Sequence, residues 1–148
     1  MQDKLTNSVT PQPWRLCKRV LPQHTDHAGV MWHGAYVAWL EEARVEALAA
    51  AGLSYSAMAG MGLEMPVVSM TVAYRRSIRH GDQIVLESQC GSQSGVRWPW
   101  RSRFVLDGQV MADARVELVI VGDGRLLRQP PDAIRPALNA LQGGPEQP

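Results

Sequence analysis

Residues 36–51 place Tyr36, Trp39, Leu40, Ala43, Ala47, Leu48 and Ala51 at helical spacing, with Glu41, Glu42, Arg44 and Glu46 on the other faces. A helix of that length must bury its apolar stripe, and the rest of the chain offers strands for the purpose. Four runs rich in β-branched or aromatic residues follow it: Met65 to Tyr74, Gln83 to Cys90, Val96 to Leu106 and Val110 to Val121. One more strand is expected ahead of it, from Trp14 to Leu21, where Trp14, Leu16 and Val20 are interspersed with Arg15, Lys18 and Arg19. Asp107-Gly108 reads as a short hairpin turn, while Gly81-Asp82 and the longer stretch from Gly91 to Gly95 separate the other runs, which makes the order antiparallel. One strand, one long helix and four strands on short turns cannot build alternating βαβ units. The class is therefore α+β, a five-stranded antiparallel sheet packed on one helix, and the alanines of that helix let the sheet approach closely and curl around it.

A chain of 148 residues suits one domain. Polar residues and two prolines up to Pro13 point to a mobile terminus, the domain itself runs from 14 to 130, and 131–148 read as a mostly irregular tail. In that tail Pro130, Pro131, Pro136, Gly143, Gly144, Pro145 and Pro148 leave room for at most a short helix between Ala133 and Leu141. Gly52 stops the long helix, and Ser54 caps a short second one that runs through Met58 to Gly60 and Gly62. A 45% apolar and 20% charged composition is that of a globular protein, and a net charge of +1 argues against a nucleic-acid groove or an acidic membrane surface as partner. No run approaches the roughly 20 apolar residues of a membrane span. The start of the chain, polar through Lys4, Asn7 and Gln12, carries no signal-peptide apolar region, so a cytoplasmic location is expected. Cys17 and Cys90 lack metal-ligand spacing and lie in strand-like runs, where buried, reduced thiols are expected. Neither a metal nor a cofactor is implied, and the partner should be a small molecule.

The densest group of unusual residues, Thr25 to Tyr36, lies between the first strand and the long helix. A loop feeding a helix N-terminus has a chemical use, because first-turn N–H groups point outward at the positive end of the helix dipole and can polarise a carbonyl. Asp26 lies beside such a site. Taken without further context, an aspartate here is a cap or loop residue and His33 a capping or partly buried structural histidine. In the same reading His24 and His27 are loop residues, Tyr36 and Trp39 pack the helix, and Glu41 and Glu42 form a solvated or salt-bridged face.

Asp26, Gly29, Val30, Trp32, His33 and Tyr36 together resemble the hallmark of the 4-hydroxybenzoyl-CoA thioesterase type of hotdog enzyme. Trp39-Leu40-Glu41-Glu42-Ala43-Arg44 is similar to that family's helix pattern, Met65-Pro66-Val67-Val68-Ser69 to its second strand, and Gly81-Asp82 to its turn, so the likeness covers roughly residues 15–121. The resemblance implies the hotdog fold and an acyl-CoA thioester hydrolase. It implies that Asp26 acts on the thioester carbonyl, either by attack to a mixed anhydride or by activating water. The backbone N–H of His33 would be the donor to the thioester oxygen, and its imidazole would hydrogen-bond the carbonyl, orient water or only line the pocket. Gly29, Trp32, Ser69 and Arg97 are the implied substrate contacts. The phosphates of coenzyme A would draw on Arg75, Arg76 and Arg79 beside His80, or on Arg97, Arg101 and Arg103. The bacterial 4-hydroxybenzoyl enzyme carries a basic triplet where this chain has Ser94, Gly95 and Val96, which leaves Arg97 as the nearest substitute, and Gly34 and Ala35 also depart from many relatives. An aromatic acyl group of the 1,4-dihydroxy-2-naphthoyl or 4-hydroxybenzoyl class is expected from that likeness and from the apolar Met31, Trp32, Met65 and Val68. A short-chain aliphatic thioesterase and a non-catalytic acyl-binding module are the alternatives. Relatives of this type assemble through sheet edges, which implies a homo-oligomer, a tetramer of paired hotdog dimers.

Overall fold

The computed structural model describes residues 12–146. Strand β1 (Trp14–Arg19) leads into the loop, helix α1 (His33–Ala50) and a short helix α2 (Tyr55–Gly60). Then come β2 (Leu63–Glu64), β3 (Val67–Tyr74), β4 (Gln83–Cys90), β5 (Trp98–Leu106), β6 (Gln109–Leu118), β7 (Ile120–Gly122), β8 (Arg125–Leu127) and helix α3 (Arg135–Gly143). The main sheet has five strands in the order β1-β4-β5-β6-β3, every pair antiparallel. The α+β expectation of one long helix on such a sheet holds. Among the described residues no helix is long and apolar enough to cross a membrane.

Period-two alternation decides which face of the sheet is buried. Ile84, Leu86 and Ser88 of β4, Trp98, Trp100, Ser102 and Phe104 of β5, and Ala112, Ala114 and Val116 of β6 all turn inward and are buried. They meet Tyr36, Trp39, Leu40, Ala43, Ala47 and Leu48 of α1 in one core. Leu40 and Phe104 are 0% exposed, and burial of side chains of that size stabilises by about 1.5–3 kcal/mol each. The outward positions of the same strands carry cross-strand ion pairs, such as Glu87 between Arg15 and Arg103 at 3.2 and 2.9 Å. Cys17 belongs to this outward set. It pairs across from Val85 and is exposed, contrary to the buried thiol expected, because the strand's alternation puts Leu16 inside and its neighbour out. Burial raises the Cys90 thiol to about 12, which keeps it protonated at neutral pH.

A small second sheet escaped the sequence, and the short helix allowed for in the tail is present and packed. The run expected to end at Val121 breaks at Val119, whose N–H donates to the Pro66 carbonyl at 3.2 Å, and β7 then joins β2 and β8 in a small second sheet. The chain beyond Pro131 is also more regular than a frayed tail. Helix α3 buries Ala137, Leu138 and Leu141, and the Trp14 indole N–H donates to the Leu141 carbonyl at 2.8 Å. Two prolines flank this helix start rather than interrupt it, so they open the helix where a proline inside would break it. The expected mobile terminus lies outside the described residues as far as residue 11.

Candidate active site

The loop before α1 closes on itself around Asp26. Its N–H donates to the Val30 carbonyl at 2.9 Å, and the Gly29 N–H returns to the Asp26 carbonyl at 3.0 Å. The turn requires φ = +77° at Gly29, a left-handed conformation that glycine adopts without a Cβ penalty. The Asp26 carboxylate oxygen Oδ1 accepts from the Ala28 N–H at 2.8 Å and from the Val30 N–H at 3.2 Å. Those two amides, Val30 first and then Ala28, hold the acid below its ordinary value, so it is a carboxylate throughout the neutral range. One oxygen is thereby anchored while the side chain stays exposed.

The loop is fixed in turn by its neighbours. Met31 donates to the Ile78 carbonyl at 2.7 Å and His80 to the Gly29 carbonyl at 3.2 Å, while Trp32 donates to the His24 carbonyl at 3.1 Å. His24 keeps the structural role expected of it: its Nδ1 accepts from the Leu21 N–H at 3.0 Å and its ring meets Trp39 edge-on. Helix α1 then starts at His33 behind Trp32, and no side chain caps that end. The amides of His33 and Gly34 therefore point out of the helix, as first-turn donors do. The Trp32 indole is 46% exposed, lies edge-on to the His33 ring at 5.3 Å and rests over Gly34, where any Cβ would meet it. An anchored carboxylate beside bare helix-terminal donors can act on a carbonyl that gains negative charge.

The remaining implied contacts lie elsewhere on the same chain. Ser69 pairs across from Glu117 on the outward face of the sheet, and Arg97 reaches the same Glu117 at 2.7 Å. These two sit toward the start of β3 and the β4–β5 turn, whereas the Asp26 loop is bridged to Arg79 beyond the end of β3. The structure thus brings Asp26, Gly29, Trp32 and His33 together and leaves Ser69 and Arg97 apart from them. Of the arginines proposed for phosphate, Arg75 pairs with Asp113 and Arg103 with Glu87. Of the two helix glutamates, Glu42 is salt-bridged to Lys18 at 3.0 Å, while Glu41 lines a cavity beside α1.

That cavity also holds Arg44, which the sequence reading set on an outer face of the helix and which is buried instead. Arg44 is only 5% exposed, and its Nε has no hydrogen-bond partner. The signal was present: Tyr36, Leu40, Arg44 and Leu48 recur every four residues, which places a charge inside the apolar stripe.

The fold and this constellation define a hotdog protein of the thioesterase kind. The family model described as "Thioesterase-like superfamily" matches residues 20–138, and the chain belongs to that superfamily. It is 34% identical over 139 residues to sll0410 of Synechocystis, a protein named as an unconfirmed esterase, with 91% of this chain and 84% of that one covered. It is 31% identical over 104 residues to the acyl-CoA thioester hydrolase YbgC of Escherichia coli, with 70% of this chain and 78% of that one covered. In fold it is similar to the 1,4-dihydroxy-2-naphthoyl-CoA thioesterase Slr0204 of Synechocystis, with a TM-score of 0.76 at 19% identity over 86% of this chain and 94% of that one.

Proposed function

We propose that this acyl-CoA thioester hydrolase acts on an aromatic acyl group and that Asp26 is its catalytic carboxylate. The observation that carries the reading is the Asp26 Oδ1 anchored by two loop amides next to the uncapped start of α1. The thioester oxygen takes a hydrogen bond from the His33 N–H, which strengthens as the carbonyl becomes tetrahedral. Along one route Oδ2 attacks the carbonyl carbon, the C–S bond breaks, coenzyme A leaves as a thiolate that takes a proton from water, and water cleaves the resulting anhydride. Along the other, Asp26 removes a proton from water as the water attacks, and passes it to the departing sulfur. Trapping the intermediate separates them: label from a radioactive acyl group becomes covalently attached to Asp26 in a quenched single turnover by the anhydride route alone.

Strand β3 forms an open edge of the main sheet and exposes Val67, Val68 and Tyr74. Bare edges of this kind are usually paired or covered. In this reading β3 pairs antiparallel with β3 of a second copy, and two such dimers form a tetramer in the cytoplasm. Antiparallel pairing sets the start of one strand against the end of the other, which carries a partner's Ser69 and Arg97 toward this Asp26. Light scattering at micromolar concentration tests the assembly, and a fully active monomer contradicts it. The activity is tested by thiol release from benzoyl, 4-hydroxybenzoyl, 1,4-dihydroxy-2-naphthoyl, butyryl and palmitoyl esters of coenzyme A. Higher kcat/KM on either aliphatic ester overturns the aromatic reading.

A further inference from the structure

The cavity beside α1 has a volume of about 470 Å³ and lies between that helix, α2 and the β2–β3 segment. Its walls are apolar, with Val37, Met58, Leu63, Met65 and Met70 among them. Arg44 also lines it, at 5% exposure, and neither an ion pair nor a hydrogen bond joins it to any described residue. The buried atom without a partner is Nε, and an unpaired buried donor costs stability, so a fold that keeps one beside a cavity keeps it for something that enters. Glu41 and Glu64 line the same cavity, both exposed and neither bridged to Arg44. The cation is therefore at the floor and the carboxylates are at the mouth.

Three residues of the cavity, Val37, Glu41 and Arg44, share one stripe of α1 with His33 of the candidate active site. His33, Val37, Glu41 and Arg44 follow each other at steps of four, four and three residues. A long side chain on a helix leans toward the N-terminus, over the preceding turn. The guanidinium of Arg44 then lies about 10 Å along the axis from His33, at a rise of about 1.5 Å per residue. One aromatic ring with a hydrogen bond of about 2.9 Å at each end fills such a span.

We infer that Arg44 is the specificity-determining residue of the acyl pocket, donating to an uncharged oxygen, a ring hydroxyl or keto group, at the far end of the acyl group. The inference rests on the thioesterase reading above for what binds at His33. Glu41 and Glu64 turn away an acyl group that ends in a carboxylate, and the apolar walls hold the ring. A bare ring leaves the guanidinium unsatisfied and binds less well.

Three acyl-CoA esters that differ at one ring position test this: benzoyl, 4-hydroxybenzoyl and 4-carboxybenzoyl. The native enzyme is expected to favour 4-hydroxybenzoyl over each of the others by about tenfold or more in kcat/KM. In Arg44→Met, an apolar side chain of similar length, the ratio of hydroxybenzoyl to benzoyl should collapse toward one. The same substitution should raise the Tm of the ligand-free protein, because it removes an uncompensated buried charge. A fall in Tm or a failure to fold means that Arg44 serves a partner in the fold or in a second copy, and overturns the inference. So does a hydroxyl preference that survives in Arg44→Met, or a native enzyme that prefers the carboxylate. Thermal shift with 4-hydroxybenzamide and benzamide reads the pocket without any hydrolysis. The hydroxylated amide should stabilise the native protein more, and Arg44→Met should erase the difference. Silence toward every thioester with that difference intact defeats the hydrolase reading alone, whereas hydrolysis with no difference defeats the Arg44 inference alone.

Discussion

Asp26 and Arg44 are opposite solutions to the placement of a charge. Asp26 is exposed yet fully organised, with two amides on one oxygen and a turn that exists to present them. Arg44 is buried, and its Nε has no partner although Glu41 and Glu64 line the same cavity. The first is a group prepared for work before any ligand arrives, since preorganised dipoles need no rearrangement at the moment of reaction. The second is prepared only in the sense of being unsatisfied, and its environment is completed by what binds. On the proposed function and the inference about Arg44, a site built of both kinds would separate catalysis, at the anchored carboxylate, from selection of the acyl group, at the cation.

The largest effect should come from the organised end. Asp26→Asn retains the shape of the turn but not the nucleophile or base, and kcat is expected to fall by about 10²–10⁴-fold with Tm little changed. Near-normal turnover by a folded Asn variant breaks the comparison outright. The next test removes the helix donor instead. His33→Pro deletes one N–H at the first position of α1, where proline is well accepted and where Trp32 already has the extended ψ of 154° that a following proline demands. It should cost about 10²–10³-fold in kcat. His33→Ala leaves that N–H in place and should cost less than tenfold; an equal loss in both variants assigns the donor to the imidazole.

Gly29→Ala sharpens the comparison by loosening the turn without touching the carboxylate. Nothing crowds a new Cβ there, so the cost is that of φ = +77° alone, about 1–2 kcal/mol. A drop of a few degrees in Tm, with a matching fall in kcat, is expected; unchanged kcat would show that the amides do not need to be held so closely. The smallest effect at neutral pH concerns acidity. Because the loop amides hold the folded Asp26 below its unfolded value, its contribution to stability is present at neutral pH and is lost only as pH falls through that lowered value. The acid limb of kcat/KM, which reports the free enzyme, should accordingly lie below the ordinary aspartate range and move upward in Gly29→Ala. A limb at or above that range removes the amides from the account.

The candidate site was legible to different depths. The spacing of Asp26, Gly29, Trp32 and His33 was readable because all four lie in one short loop, where local hydrogen bonds set the geometry. Ser69 and Arg97 could be named but not placed, since their position relative to Asp26 depends on how strands far apart in sequence, or in separate copies, line up. Arg44 was set on an outer face with Glu41, Glu42 and Glu46, which suggested a solvated surface, and only the packing of α2 and the β2–β3 segment beside α1 buries it.

The sequence by itself determined the helix, the five main strands and their antiparallel order, because helical and two-residue periodicities and turn glycines are local signals. It also placed Asp26, Gly29, Trp32 and His33 in one loop ahead of that helix, for the same reason. The tertiary structure alone decided the strand order β1-β4-β5-β6-β3, the small second sheet, the docking of α3 through Leu138 and Leu141, and the outward turn of Cys17. Each of these depends on which surfaces meet, and burial is a property of pairs of surfaces that no single segment carries.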